Sequence, residues 1–230
     1  IESMGGSVHI SSPIRSIYVE DGVARGLVMQ DSNKNDVYKA YDAVLATTPS
    51  YIFPQLVDCL DKDYLDRLLS VDYLSAVLVI LVLKQPFSDI YWLNIADRSI
   101  PFVGLIEQTN FMDRATYGNK NIVYISNYLS EDSPLYQMDK KALLDEYIPH
   151  LKKINPAFDE SWIEESYYHK VAAAQPIIGQ GYSERIPSHR TPVKSLYLAN
   201  TTQIYPEDRG TNYSVRMGKA VAKMIMEDLG

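Results

Sequence analysis

The stretch LYLANTTQIYPEDRGTNYSVRMGKAVAKMI, Leu196 to Ile225, decides the reading of this chain. SLYLAN reads as a short buried strand. It gives way to a polar loop carrying Pro206 and Gly210, and the loop launches a long helix. Loops at the carboxyl end of a strand and the amino end of a helix are where α/β proteins hold anionic or electron-rich ligands, because the first N–H groups of a helix lack intrahelical acceptors. The expected helix starts at Asn212. Val215, Gly218, Ala222, Ile225 and Leu229 fall on one face with Val221 beside them, while Arg216, Lys219, Lys223 and Glu227 lie away from it. The same order of elements also serves as plain scaffold, with Asn212 only a cap. Residues elsewhere must decide.

At the other end of the chain, GGSVHISSPIRSIYVEDGVARGLVMQDSNKNDVYKAYDAVLATTPS alternates strand and turn. IRSIYVE and VARGLVMQ are β-rich runs joined through Asp21-Gly22, a dipeptide suited to the positive φ of a tight hairpin. A third strand is expected near Asp36 to Lys39. Asp42 to Thr47 reads as a buried strand ending at Pro49. Helical periodicity covers Ser50 to Leu60 and again Lys62 to Ser70.

From Tyr73 the pattern turns to strands: AVLVILVL, YWLNIA, PFVGLIEQTN and NIVYISNYL, set apart by Pro, Asp and Gly. A helix is expected over Lys140 to Ile154, capped by Asp139 and followed by Pro156. SWIEESYYHKVAAAQP is expected to begin as helix and become strand near Tyr167 to Ala172.

Composition narrows the classes. The 230 residues are 46% hydrophobic and 22% charged, the balance of a globular protein with a real core. A net charge of -7 argues against a nucleic-acid partner, which calls for clustered Lys and Arg. Cys59 is the only cysteine, so no internal disulfide forms and a reducing, cytoplasmic setting is expected. The longest apolar run, Leu74 to Leu83, is too short to span a bilayer. His9, His150, His169 and His189 lack metal-ligand spacing, so no metal is expected. Neither a G-x-S-x-G elbow nor a Walker loop occurs. The chain opens at Ile1 without Met, in what reads as the tail of a helix, and a piece of a larger protein is expected.

Taken together and in this order, the opening block and the Leu196 to Ile225 stretch resemble the flavin-containing amine oxidoreductase superfamily: monoamine oxidases, protoporphyrinogen oxidase, phytoene-type desaturases and UDP-galactopyranose mutase. The resemblance covers the whole chain, but only these two blocks are specific. Family members open with a G-x-G-x-x-G Rossmann turn for the FAD pyrophosphate. GGSVHI is not that turn, so the resemblance implies the carboxyl-terminal part of a flavoprotein, with FAD held by the full-length protein and absent from this fragment.

The implied fold is α+β: a mixed β-sheet substrate domain with flanking helices (51–187), plus partial FAD-domain strands and the C-terminal helix (1–50 and 188–230). By resemblance, Ile14 matches the position whose backbone meets the adenine. Thr47, Thr48 and Pro49 match the strand end passing under the flavin. Asn200 and Thr201 stand where the family has Gly followed by an acid near the ribityl chain, and the acid is missing here. Gly210, Thr211 and Asn212 match the turn beside the pyrimidine edge of the ring, where negative charge gathers when the flavin takes a hydride at N5. Helix-start N–H groups would stabilise that charge, and Thr211 N–H is the favoured donor.

In the middle, Glu107, Gln108 and Asn110 follow an apolar strand and are expected to face substrate. Arg209 either reaches an anionic substrate or the flavin edge, or pairs with Glu207 or Asp208. Eighteen tyrosines suit stacking on sugars, amines or isoprenoid chains, and equally suit a plain sheet surface. No catalytic side chain is assigned. The implied activity is hydride transfer from a C–N or C–C bond to flavin, on a small substrate such as a sugar nucleotide, amine or isoprenoid. Two alternatives stand beside it: a redox-neutral flavin mutase, and a non-catalytic binder of lipid and protein like the Rab GDP-dissociation inhibitors.

Overall fold

The computed structural model describes Ile1–Gly230 throughout. Helices and sheets are mixed in an α+β arrangement, and the chain forms two compact units, Ile1–Asp72 with Ile178–Gly230, and Tyr73–Ile177. Residues 51–72 and 178–187 therefore fold with the terminal segments, a correction to the boundaries drawn from sequence at 50 and 188.

In the first unit, β1 (Ile14–Glu20), β2 (Val23–Gln30) and β3 (Asp36–Ala40) form an antiparallel sheet. The expected tight turn is there, with φ of 49° at Asp21 and 72° at Gly22. Gly26 in β2 is a glycine for space rather than for backbone angle. A Cβ there would meet the Lys39 carbonyl, with Tyr38 Cε2 at 2.9 Å and Ala40 Cα at 3.0 Å.

A second sheet pairs β4 (Val44–Ala46) in parallel with β10 (Leu196–Leu198). Its apolar residues join Phe53 and the buried face of α1 (Lys62–Leu69), Tyr64 and Leu68, in one core. Asp61 caps α1, its Oδ1 accepting from Tyr64 N at 2.8 Å. The helix expected over Ser50 to Leu60 does not form; that stretch holds a single tight turn, Phe53–Gln55. Pro54 supplies no N–H to a longer ladder.

α4 (Thr211–Leu229) begins one residue before the expected Asn212. It buries a different stripe from the one expected: Val221 is fully buried and Tyr213, Met217, Met224 and Ile225 partly so. Val215, Gly218, Ala222 and Leu229 are exposed. Apolar residues surround most of this helix, so periodicity alone cannot choose its inner face. Side chains at its far end choose it instead. Asp228 accepts from Arg190 Nε at 2.7 Å and Nη2 at 2.9 Å, and from the Tyr197 hydroxyl at 2.8 Å.

The second unit is built on a five-stranded antiparallel sheet in the order β6 (Trp92–Asn94), β7 (Gly104–Glu107), β8 (Asn121–Leu129), β5 (Tyr73–Leu83), β9 (Ile163–Pro176). After the short α2 (Pro134–Gln137), α3 (Lys140–Ile154) runs as the sequence indicates, with Asp139 Oδ1 accepting from Ala142 N at 2.8 Å. Leu143, Tyr147 and Leu151 of α3 pack against Val79, Leu81, Val123 and Ile125. β9 is strand from Ile163 onward, preceded by one tight turn at Glu160–Trp162, so its expected helical start is corrected. Its register along β5, from Leu83↔Ile163 to Tyr73↔Pro176, supplies the backbone partners that a helix would forgo.

β5 differs from an ordinary half-buried strand. Val77, Val79, Leu81 and Leu83 face the core, yet Leu78, Ile80 and Val82 on the opposite face are apolar too. None of those three packs into either core. No helix of the chain is long and apolar enough to cross a membrane.

Candidate functional site

The sequence NTTQ, Asn200 to Gln203, carries the spacing of a capping box, and the structure closes it. Asn200 Oδ1 accepts from Thr202 N (3.0 Å), and Asn200 N donates to Gln203 Oε1 (2.9 Å). The box is bound to the end of β4 as well. Asn200 Nδ2 donates to the Thr48 carbonyl (2.9 Å) and to Ser50 Oγ (3.2 Å). Ser50 Oγ lies 3.0 Å from Thr202 Oγ1, which in turn donates to Asn200 Oδ1 at 2.7 Å. The Tyr182 hydroxyl donates to Thr202 O (2.5 Å), and Gln203 Nε2 to Pro187 O (3.1 Å). Ser50, Asn200 and Thr202 are all buried.

This network welds the carboxyl ends of two parallel strands. It also consumes both hydrogens and both lone-pair directions of the Asn200 carboxamide. Asn200 therefore holds protein to protein, and the exposed neighbour Thr201 is the residue whose side chain is left outward. Sequence reading placed Asn200 and Thr201 at one ligand contact, but only the NTTQ spacing hinted that Asn200 points inward. Thr47 and Pro49 are exposed. The Thr48 hydroxyl is buried without a hydrogen-bond partner.

The start of α4 is the second component. Gly210 is its N-cap and carries no side-chain cap, and no acid lies in the first turn. Tyr213 N and Ser214 N both donate to Gly210 O, each at 3.1 Å, leaving the preceding N–H groups of Thr211 and Asn212 outside the intrahelical ladder. A Cβ on residue 210 would lie 2.7 Å from Asn212 Oδ1, so glycine leaves room for that carboxamide. Glu207 is taken by Arg216, whose guanidinium holds its carboxyl below the usual range and also sits 4.8 Å from the Tyr213 ring centre. Glu207 is thus committed to Arg216, and Arg209 N donates to Asp208 Oδ1 at 2.8 Å.

Ile14 opens β1, in a different sheet from β4 and β10. Glu107 is fully buried: its carboxylate accepts from Phe87 N (2.9 Å), Ser88 N (2.6 Å) and Ser88 Oγ (3.2 Å). Burial pushes its pKa up against those three donors. Asn110 Nδ2 donates to the carbonyls of Ser88 (2.8 Å) and Ile90 (3.2 Å). Glu107 and Asn110 staple the 87–90 loop, and Gln108 between them is half-exposed.

Parallel strand ends locked side by side, and a helix start with uncommitted N–H groups, are features that cofactor-binding α/β proteins share. The chain belongs to the flavin containing amine oxidoreductase family, whose model matches residues 2–225. Flavin is the cofactor that this family membership implies. The start of α4 fits an electron-rich ring edge, because no acid lies in its first turn and Glu207 is paired with Arg216; Asn200 does not fit a ligand contact.

Solved structures share the fold. An oxidoreductase from Methanosarcina mazei is 16% identical with a TM-score of 0.71, over 97% of this chain and 51% of that one. A putrescine oxidase bound to putrescine is 13% identical with a TM-score of 0.69, over 98% and 51%. A reduced UDP-galactopyranose mutase is 12% identical with a TM-score of 0.65, over 92% and 47%. The chain spans about half the length of these structures. A comparison with curated proteins finds no match.

Proposed function

We propose that this chain is part of an FAD-dependent oxidoreductase that removes a hydride from a C–N or C–C bond of a small substrate. In this reading the first unit holds the flavin side and the second presents the substrate. The observation that carries it is the α4 start: a glycine N-cap, free N–H groups at Thr211 and Asn212, and no acid in the first turn. When bound, the flavin supplies the hydride acceptor.

The chain's residues supply binding and electrostatics. The dipole at the helix start favours negative charge by about 0.3–1 kcal/mol when exposed and up to about 2 when partly buried. Each hydrogen bond to a charged acceptor adds about 1.5–3 kcal/mol. Thr48 and Thr201 would stand along the polyol chain, with Asn200 fixing the strand ends that carry them. Arg216 holds Glu207 and so keeps its negative charge engaged beside that edge.

A second reading, a non-catalytic lipid or protein binder, draws on one observation: Thr201 is neutral where the family has an acid. One preparation separates the two. Full-length protein carrying this chain should be yellow as purified and bleach with dithionite. Gly210→Val should lower the flavin retained per protein while the melting temperature stays near wild type. A colourless full-length protein that takes up no added FAD would end the oxidoreductase reading.

A further inference from the structure

Arg216 follows Asn212 by one helical turn, so the two share a face of α4. Side chains on a helix lean toward its N-terminus, and Arg216 carries that lean past the helix start. Its guanidinium sits 4.8 Å from the Tyr213 ring centre and ends on the Glu207 carboxylate, which precedes the Gly210 N-cap. The ion pair therefore stands beside the first turn, where the N–H groups of Thr211 and Asn212 lie outside the intrahelical ladder.

The pair balances charge at that point. The helix dipole places partial positive charge at the N-terminus, and no acid lies in the first turn. Glu207 brings one negative charge and Arg216 one positive, so together they add nothing net. Arg216 keeps the Glu207 carboxyl ionised by holding its pKa below the usual range. Taking away either member exposes the charge of the other. A hydride carries two electrons and one proton, so its acceptor ends one negative charge richer. An uncompensated charge beside the helix start then changes how strongly that reduced form is held.

We infer that Glu207 and Arg216 set the reduction potential of the cofactor at the start of α4, Arg216 favouring the reduced form and Glu207 opposing it. Neither is assigned contact with the reacting atoms. The inference rests on the flavin reading above and names how that site is tuned.

The test uses full-length protein loaded with FAD, its potential read from absorbance during slow reduction beside a reference dye. Glu207→Gln frees Arg216 and should raise the potential, equivalent to a several-fold gain in affinity for reduced over oxidised FAD. Arg216→Gln frees Glu207 and should lower it by a similar factor. The double variant should return close to wild type, and Arg216→Lys, which keeps the charge, should stay there. Asp208 and Arg209 are present in every variant and cancel from the comparison. Both side chains are partly exposed, 63% for Arg216 and 30% for Glu207, so their replacement leaves the core intact and the shifts should shrink in about 1 M salt. Melting temperature separates a merely structural role: each single substitution breaks the same bond and lowers it alike, whereas the potentials move in opposite directions. Potentials that move the same way in the two single variants, or that stay at the wild-type value, would overturn the inference and spare the flavin reading. Full-length protein that takes up no FAD would end that reading and the inference with it.

Discussion

The end of the β4–β10 pair and the open face of the five-stranded sheet solve opposite problems. At the strand ends, Ser50, Asn200 and Thr202 are polar, buried and bonded to one another. On the sheet, Leu78, Ile80 and Val82 are apolar, only partly buried and outside both cores. The first region is complete within the chain and works as rigid support. A buried polar network specifies one geometry because each unmade bond is costly, whereas an apolar face accepts whatever excludes water from it.

The sharpest way to break that contrast lies in β5 itself. Leu81→Ala, on the packed face, should lower stability by about 2–5 kcal/mol, while Ile80→Ala next door should cost under about 1 kcal/mol. Urea unfolding of both reads the difference, and equal losses would mean that the outer face is already covered. Asn200→Ala comes next, at about 1–3 kcal/mol, because Ser50 and the Thr48 carbonyl lose a buried partner. Its signature is poorer flavin retention together with a lower melting temperature.

Glu107→Gln gives a pH-dependent effect. The folded state holds the Glu107 proton more tightly than the unfolded chain does, since burial raises its pKa. The stability linked to this group is therefore full at low pH and declines as pH climbs from the unfolded carboxylate value through the raised folded one. Melting curves across acid to neutral pH should show wild type losing ground to the Gln variant over that window. The smallest effect is Tyr197→Phe, which removes one bond to Asp228 and should cost about 0.5–1.5 kcal/mol by the same unfolding assay.

Much of the scaffold was legible from local signals. Asp21-Gly22 marked a hairpin, Asp139 capped α3, and the Leu74–Leu83 run marked a buried strand. The failures share a physical cause: each was settled by distant partners. β9 is strand because β5 offers it a ladder, although its own residues alternate weakly. α4 buries Val221 and half-buries Met217 while Gly218 and Ala222 stay exposed, and at its far end Arg190 and Tyr197 hold Asp228. Glu107 looked like a cavity acid, and the backbone of Phe87 and Ser88, some twenty residues earlier, turned it into a loop staple. The strand-end site was visible as a motif, whereas the inward turn of Asn200 depended on Ser50, 150 residues away.

Gly26 has a consequence for any attempt to diversify this protein. A methyl added there would run into the edge of the Tyr38 ring and the main chain of β3, backbone that cannot step aside. A saturation library at this codon, selected for folded product, should return the parental amino acid almost alone. That would make position 26 an internal control for every screen run on the chain.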